Sequence, residues 1–433
     1  MSKISIEASL KMQFEKTNFK RLFIAYSGGL DSSVLLNAIQ ALKLNVPVYA
    51  IHIHHGLSEH ADAWLLHCQS ECLRLGITLH YEKVKLQSPP ANPDNTSGLE
   101  AAARQARYQV FNQYLTPGDA LLMAHHQDDQ VETFMMRLMR GSGLTGLSAM
   151  DSQRTLGEGQ LLRPLLNHSR TEIEAYGLLN NIVHVEDDSN ANTKFDRNWW
   201  RRELLPQVKT RYPQGAQSIL KTIEVLKVER QLLNDLLRPI YTNVKDAQGC
   251  LIIQVLKPQT APIQSQIIRK WLEENSLYPL LADKQINSVL EDVMNARQDA
   301  EPVFKWQSNE IRRHNGRLYC MGTLPEIDHD IFPLIYDGSE NAQLPLGKLE
   351  QRMGLGLKPG LYELALYDGT TKAKPVNRPN KILKKWFQEY AIPPWQRPFW
   401  PVLLKDGVVA AVPGLFVCQG YACEQGWQLR FKL

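Results

Sequence analysis

Ser27-Gly28-Gly29-Leu30-Asp31-Ser32 stands directly after a short apolar run, Arg21 to Tyr26, and opens a helical pattern that continues to about Lys43. A strand that turns through two glycines straight into a helix commits the chain to an α/β arrangement. The alternation then continues. Val46 to His54 reads as strand, Ser58 starts a helix, and Ile77 to Leu86 returns to strand. After a Pro-, Asn- and Ser-rich loop, Ser88 to Gly98, helix is expected to Tyr114, strand over Ala120 to Ala124, and helix over Asp128 to Arg140. Strands and helices in this order predict a Rossmann-like parallel sheet covered by helices on both faces.

The glycine loop is suited to an anion. Glycine lets the backbone turn tightly and come close to a ligand. The N–H groups and dipole of the following helix favour phosphate, and Ser27, Ser32 and Ser33 add hydroxyls. The loop lacks the Gly-Lys-Ser/Thr ending of a Walker A motif and the spacing of a dinucleotide fingerprint. Read without a ligand, Asp31 and Ser32 would simply cap the helix.

Beyond Pro213 the pattern changes. Ile219 to Leu237 carries apolar residues at three- and four-residue spacing and reads as a long amphipathic helix. Helical stretches near Gln264–Asn275 and Lys284–Ala296 alternate with short strands, and a Pro-, Gly- and Asp-containing stretch from Pro325 to Gly338 marks a second boundary. Three domains are expected: a catalytic domain over 1–212, a largely helical one over 213–325, and an α+β one over 326–433.

Composition serves to exclude. No segment of the 433 residues approaches the roughly 20 apolar residues that span a bilayer, so no membrane association is expected. Six cysteines without a C-x-x-C pair argue against a disulfide scaffold, a structural zinc and an iron–sulfur cluster, and fit a cytoplasmic protein. The net charge of +4 is too small to name a partner, but basic residues cluster late in the chain.

The hexapeptide SGGLDS resembles the pyrophosphate loop of the ATP pyrophosphatases, which adenylate a substrate and release pyrophosphate. Further blocks narrow the field: HHGL at His54 to Leu57, GLEAAARQARYQVF at Gly98 to Phe111, AHHQDDQVET at Ala124 to Thr133, RGSGLTGLSAM at Arg140 to Met150, RPLL at Arg163 to Leu166 and DDSNANTKFDRNWWR at Asp187 to Arg201. In this order and spacing they resemble the tRNA(Ile)-lysidine synthetases, and KILKKWFQEYAIPPWQR at Lys381 to Arg397 is similar to the C-terminal domain of that family. The resemblance implies ATP and magnesium as cofactors, and free L-lysine and an isoleucine tRNA with a CAU anticodon as partners, with a homodimer as one allowed assembly. The wobble cytidine would be adenylated and AMP then displaced by lysine. A tRNA thiolase of the same superfamily is the alternative, although those enzymes usually carry the paired cysteines missing here.

By the same resemblance, Ser27, Gly28, Gly29, Leu30, Asp31 and Ser32 bind ATP, and Asp31 holds magnesium or orients the loop. Asp128, Asp129 and Glu132 fall within one turn at a helix start. Lysine arrives as an ammonium with a pKa of about 10.4 and must lose a proton before it attacks. Asp129 and Glu132 are the carboxylates expected to contact lysine or, for Asp129, magnesium. Arg104, which shares a helix face with Glu100 and Arg107, and Arg197 would neutralise the phosphates. His52 and His54 fall on one strand face and His55 on the other, so they do not converge on a metal, whereas His125 and His126 stand beside the aspartates. For RNA, Lys381, Lys384 and Lys385 are expected on one helix face opposite Trp386 and Phe387. Arg201 belongs to a second basic stretch with Lys194, Arg197, Arg202, Lys209 and Arg211.

Overall fold

The computed structural model describes residues 5–15, 18–54, 56, 60–84, 96–186, 193, 196–275, 277, 281–297, 300–328, 331–338, 341–367 and 369–432, with 96–101 through their backbone. His55, Leu57, Ser58, Lys194, positions 88–95 of the Pro-rich loop, most of the DDSNANT stretch and the Glu100 side chain lie outside the described residues. The chain divides into two compact units, Met1–Asp235 and Leu236–Leu433.

The first unit runs α1 (Ile6–Phe14), β1 (Arg21–Ala25), α2 (Leu30–Ala41), β2 (Val48–His54), α3 (Ala61–Leu75), β3 (Thr78–Lys83), α4 (Thr96–Tyr114), β4 (Asp119–Leu122) and α5 (Gln127–Met139). The short helix α6 (Leu144–Leu147), β5 (Gln153–Leu156), β6 (Gly159–Leu162) and α7 (Arg170–Leu179) follow. Six strands form one sheet in the order β3-β2-β1-β4-β6-β5. All neighbours are parallel except β5, which pairs antiparallel with β6. The expected sheet is therefore present, with an edge hairpin the sequence pattern did not announce. Both hairpin strands are four residues long, and Gln153-Arg154-Thr155-Leu156 has no apolar alternation to read.

Central strands are apolar because both faces are covered. Leu22, Ile24, Ala120 and Leu122 point to one face, packed with Val34, Leu35, Ile39 and Leu10, while Phe23, Leu121, Ile51 and Leu161 pack with Phe111 and Leu115 on the other. The order of β1 between β2 and β4 leaves a crevice at the carboxyl ends of the strands, where ligands of open α/β sheets bind.

Asp196–Trp199 (α8) continues through a π-helical turn, Trp200–Leu204, into α9 (Leu205–Arg211), and α10 spans Gly215–Val244. In the first unit Ile223 of α10 packs with Phe134 and Ala149.

The second unit places β7 (Leu251–Ile252), α11 (Ile253–Leu256), α12 (Ala261–Glu274), α13 (Asp283–Ser288) and a second π-helical turn, Val289–Met294, beside β8 (Val303–Trp306), β9 (Asn309–His314) and β10 (Arg317–Gly322). A four-stranded sheet, β7-β10-β9-β8, shares a core with the fully buried Trp271, Ile267 and Val289. The described residues of 334–432 form a five-stranded and a three-stranded sheet, a two-stranded ribbon of Lys372–Ala373 with Lys381–Ile382, the α-helix Leu383–Glu389 and a 3-10 turn, Arg397–Phe399. That helix is shorter than the sequence pattern suggests, so Lys381 stands on the ribbon ahead of it rather than on a shared helix face with Lys384 and Lys385. Trp386 and Phe387 are core, as their spacing requires.

Candidate active site

The glycine loop sits at the carboxyl end of β1. Gly28 has φ +86°, and a Cβ there would lie 3.0 Å from Cys68 Sγ and 3.1 Å from Val185 Cγ2. Both the backbone conformation and the space therefore require glycine. Gly29 has φ −72°, and the nearest atom to an added Cβ is Ser27 Oγ at 3.6 Å. The chain itself does not demand a glycine at that second position.

Serines tie the turn together. Ser32 Oγ donates to the Gly29 carbonyl at 3.0 Å and lies 3.1 Å from Ser27 Oγ, and Ser33 Oγ donates to the Gly28 carbonyl at 3.2 Å. The N-cap of α2 is Gly29, and no side chain caps the helix. Asp31 and Ser32 are thus not capping residues, and the helix start faces the crevice open to a ligand.

The loop forms one wall of a cavity of about 940 Å³, closed by Trp64 of α3, His126, Asp128 and Glu132 at the start of α5, Arg170 of α7, the strap His184–Glu186, and Arg201, Arg202 and Lys209. The strap is held by the Val185 N–H, which donates to the Gly28 carbonyl at 3.0 Å.

Asp31 faces this space and accepts from Arg170 Nη1 at 2.6 Å. Arg170 also donates from its Nε to Glu174 at 2.8 Å and from its backbone N–H to Asp128 at 3.0 Å. Burial raises the Asp31 pKa despite the nearby His126 and Arg170, which stabilise its ionised form. His126 lies 3.7 Å from Asp31, 3.7 Å from Asp128 and 3.5 Å from Asp129. Burial opposes its charged form, but Asp128, Asp129 and Asp31 outweigh that and raise its pKa. Its Nδ1 is buried without a hydrogen-bond partner.

Asp129 and Glu132 form a second constellation with Arg197 and Arg201. Arg197 donates to Glu132 at 2.8 Å and to Asp129 at 2.7 Å. Arg201 donates to Glu132 at 2.6 and 3.0 Å and to Asp129 at 3.1 Å. The other Asp129 oxygen accepts the His126 N–H at 2.9 Å. Burial alone would raise the Asp129 pKa, yet Arg197 and His126 hold it down at about 2. Two carboxylates and two guanidiniums make this network neutral overall. Arg201, expected as an RNA contact, is committed to it. The π-helical turn begins at Trp200, between the two arginines, a feature often found at functional sites.

The structure separates other candidates. His125 does not line the cavity; its Nδ1 accepts from Arg163 Nε at 3.3 Å, and burial lowers its pKa to about 3. Arg104 does not line it either and lies over the Tyr108 ring. His52 Nδ1 meets the Tyr26 carbonyl at 3.0 Å, and His54 lies 3.2 Å from Asp62. Lys381 donates to Glu389 at 3.1 Å, whereas Lys384 and Lys385 are exposed. Arg170 was not singled out in the sequence, because its partner Asp31 lies 139 positions away.

Among the described residues no group of three or more His, Cys, Asp or Glu side chains is placed to hold a metal ion. Magnesium, however, needs only one or two carboxylates when phosphates complete its shell. Asp31 fits that requirement: it is desolvated, about a third exposed towards the cavity, and beside the glycine loop. Asp129 fits it poorly, because both of its oxygens already accept from protein donors.

A phosphate-suited loop at a sheet crevice, with carboxylates and arginines around it, defines an ATP-using α/β protein of the PP-loop class. Residues 2–208 match the PP-loop domain, 251–319 the TilS substrate binding domain and 363–431 the TilS substrate C-terminal domain. The chain is 37% identical to the tRNA(Ile)-lysidine synthase of Coxiella burnetii, covering 98% of this chain and 96% of that protein. It is 34% identical to that of Serratia proteamaculans, covering 95% and 96%. The chain belongs to the tRNA(Ile)-lysidine synthase family. Among solved structures, a U34-tRNA thiolase of Methanococcus maripaludis is similar over 51% of this chain and 78% of its own, at 15% identity and a TM-score of 0.43.

Proposed function

We propose that this protein joins lysine to the wobble cytidine of an isoleucine tRNA with a CAU anticodon at the expense of ATP. The observation that carries the reading is the juxtaposition, in one cavity, of the Ser27–Ser32 loop with Glu132 and Arg201, which Asp129 and Arg197 back from outside its lining, in a chain that matches lysidine synthases over nearly its whole length.

Cytosine has one carbonyl oxygen, on C2. That oxygen attacks the α-phosphorus of ATP and pyrophosphate leaves. The lysine side-chain amine then attacks C2, AMP departs with the oxygen, and the amine loses its proton. The loop amides and serines hold the departing phosphates. Arg170 and His126 supply positive charge beside them. Magnesium would be held by Asp31 and, when bound, neutralises the phosphates. Free lysine carries two ammoniums and one carboxylate, so it brings one net positive charge into the network until the attacking side-chain amine gives up its proton. Its carboxylate meets a guanidinium, and Glu132 or Asp129 accepts the ammonium and its proton. Lys384 and Lys385 contact RNA phosphates, the three expected domains divide these tasks, and a tRNA substrate places the protein in the cytoplasm.

The thiolase alternative is weaker, since the sequence holds no C-x-x-C pair of the kind those enzymes usually carry. AMP and pyrophosphate release would be measured with CAU-bearing isoleucine tRNA and with methionine tRNA, with and without lysine. Release of both products with the isoleucine tRNA and lysine together supports the reading; equal release with methionine tRNA contradicts it.

A further inference from the structure

A second group of arginines gathers beside the site, at the carboxyl edge of β4 and β6, on side chains that do not line the nucleotide cavity. Tyr108 of α4 is its centre. The guanidinium carbons of Arg104 and Arg154 each lie 5.0 Å from the Tyr108 ring centroid. Arg104 Nη2 also donates to the phenol oxygen at 3.3 Å. Arg163 is buried and gives its Nη1 to the Asp151 carbonyl at 2.7 Å and its Nε to His125. Arg137 donates to the carbonyls of Gly146 and Ala149 at 2.8 and 2.7 Å.

Among the described residues the hydrogen-bond partners of these arginines are neutral. Among the described residues none of Arg104, Arg137, Arg154 and Arg163 pairs with a carboxylate, and the neighbouring Asp151 is bound by Arg230. Burial would raise the Tyr108 pKa, but Arg104, Arg154 and Arg163 outweigh it and bring it down, which reports the positive potential of the cluster. Asp151 is the counter-charge felt by Arg137 and Arg163, and it is shared with Arg230, so the arginines outnumber it; cations in excess repel one another, and a polyanion relieves that repulsion. Arg104 and Arg154 are exposed, so they are the members an external anion can reach.

The cluster adjoins the chemistry. His125 accepts from Arg163 and feels the charges of Asp129, Arg197 and Arg104. One side chain thus stands between the arginines and the carboxylate network. The ATP phosphates have the glycine loop and Arg170, so this second cationic surface is left for the other phosphate-bearing substrate. Building on the functional reading above, we propose that Arg154, with Arg104 and held in place by Tyr108, grips the RNA backbone phosphates that flank the target cytidine. The contact positions the nucleotide; it does not read its base.

The test uses full-length protein and a CAU-bearing isoleucine tRNA transcript, with binding followed by fluorescence anisotropy across a salt series. Arg154→Ala is expected to bind RNA about tenfold more weakly, the size of one charge-assisted contact. Its slope of log affinity against log salt should be shallower by about 0.7, the value for a single-stranded phosphate. Arg154→Lys, which keeps the charge, should recover most of both. The KM for the tRNA should rise in Arg154→Ala while those for ATP and lysine stay in place. Wild-type affinity and salt slope in a folded Arg154→Ala protein would overturn the proposal, as would a raised KM for ATP with RNA binding unchanged. A wild-type protein that binds no tRNA would overturn the functional reading and this inference with it, so the two failures are distinguishable.

Discussion

Glu132 tests the network most sharply, because it is buried to 1% exposure while both of its arginine partners reach solvent. Glu132→Gln keeps the shape and removes the charge. The wild-type carboxylate accepts three hydrogen bonds from the two guanidiniums, at 2.8, 2.6 and 3.0 Å. An amide can accept at one oxygen only and turns its own N–H groups towards a cation. Breaking a fully buried pair costs about 3–5 kcal/mol. Here Arg197 and Arg201 are 29% and 41% exposed, so water recovers part of that, and about 2–4 kcal/mol remains. For a unit of the size of Met1–Asp235, this corresponds to a fall in Tm of about 4–16 °C. Differential scanning fluorimetry gives the first reading and lysine-dependent AMP release the second, and both should fall. A Glu132→Gln protein with wild-type Tm and turnover would refute the argument that this carboxylate holds the two arginines in place.

Other consequences follow from the same geometry. Asp129 has a folded-state pKa of about 2, below its unfolded value, so its stabilisation is complete above the unfolded pKa and is lost as pH falls through the folded one. Thermal melts between about pH 4 and pH 2 should therefore show a steeper loss in wild type than in Asp129→Asn. His126 is shifted the other way: its contribution is complete below the unfolded pKa and is lost as pH rises through the raised folded value. His126→Gln should flatten the alkaline side of the stability profile. Gly28→Ala should lower Tm and abolish ATP use, because its Cβ would press on Cys68 and Val185. Gly29→Ala should keep wild-type Tm, so a raised KM for ATP in that variant would report the closeness of the ligand alone. Replacing Lys384 and Lys385 with alanine should weaken tRNA binding and reduce its salt slope by about 0.9 for each phosphate that is no longer neutralised, measured by anisotropy.

What the sequence disclosed was local. The strand–turn–helix and its Gly28 were legible because the requirement for a positive φ acts within a few residues. The grouping of Asp129 with Glu132 was legible for the same reason, through their three-residue spacing on α5. Arg197 and Arg201 also share a face, but spacing says nothing of what that face meets. From the sequence Arg201 accordingly reads as an RNA contact, although its guanidinium is bound to carboxylates about 70 positions earlier. Arg170 was invisible, since only the folded sheet brings α7 to Asp31. The strands β5 and β6 escaped because an edge hairpin of four-residue strands leaves too short a pattern. Arg154 lies on that hairpin, and the second arginine cluster was hidden with it.

The most direct measurement is mass analysis of the tRNA product. Isoleucine tRNA bearing CAU would be incubated with the protein, ATP, magnesium and isotope-labelled lysine, then digested to nucleosides. The wobble cytidine alone should gain one labelled lysine less one water, methionine tRNA should gain nothing, and Glu132→Gln should abolish the gain. An unmodified cytidine, or a label carried on another nucleoside, would contradict the proposed function.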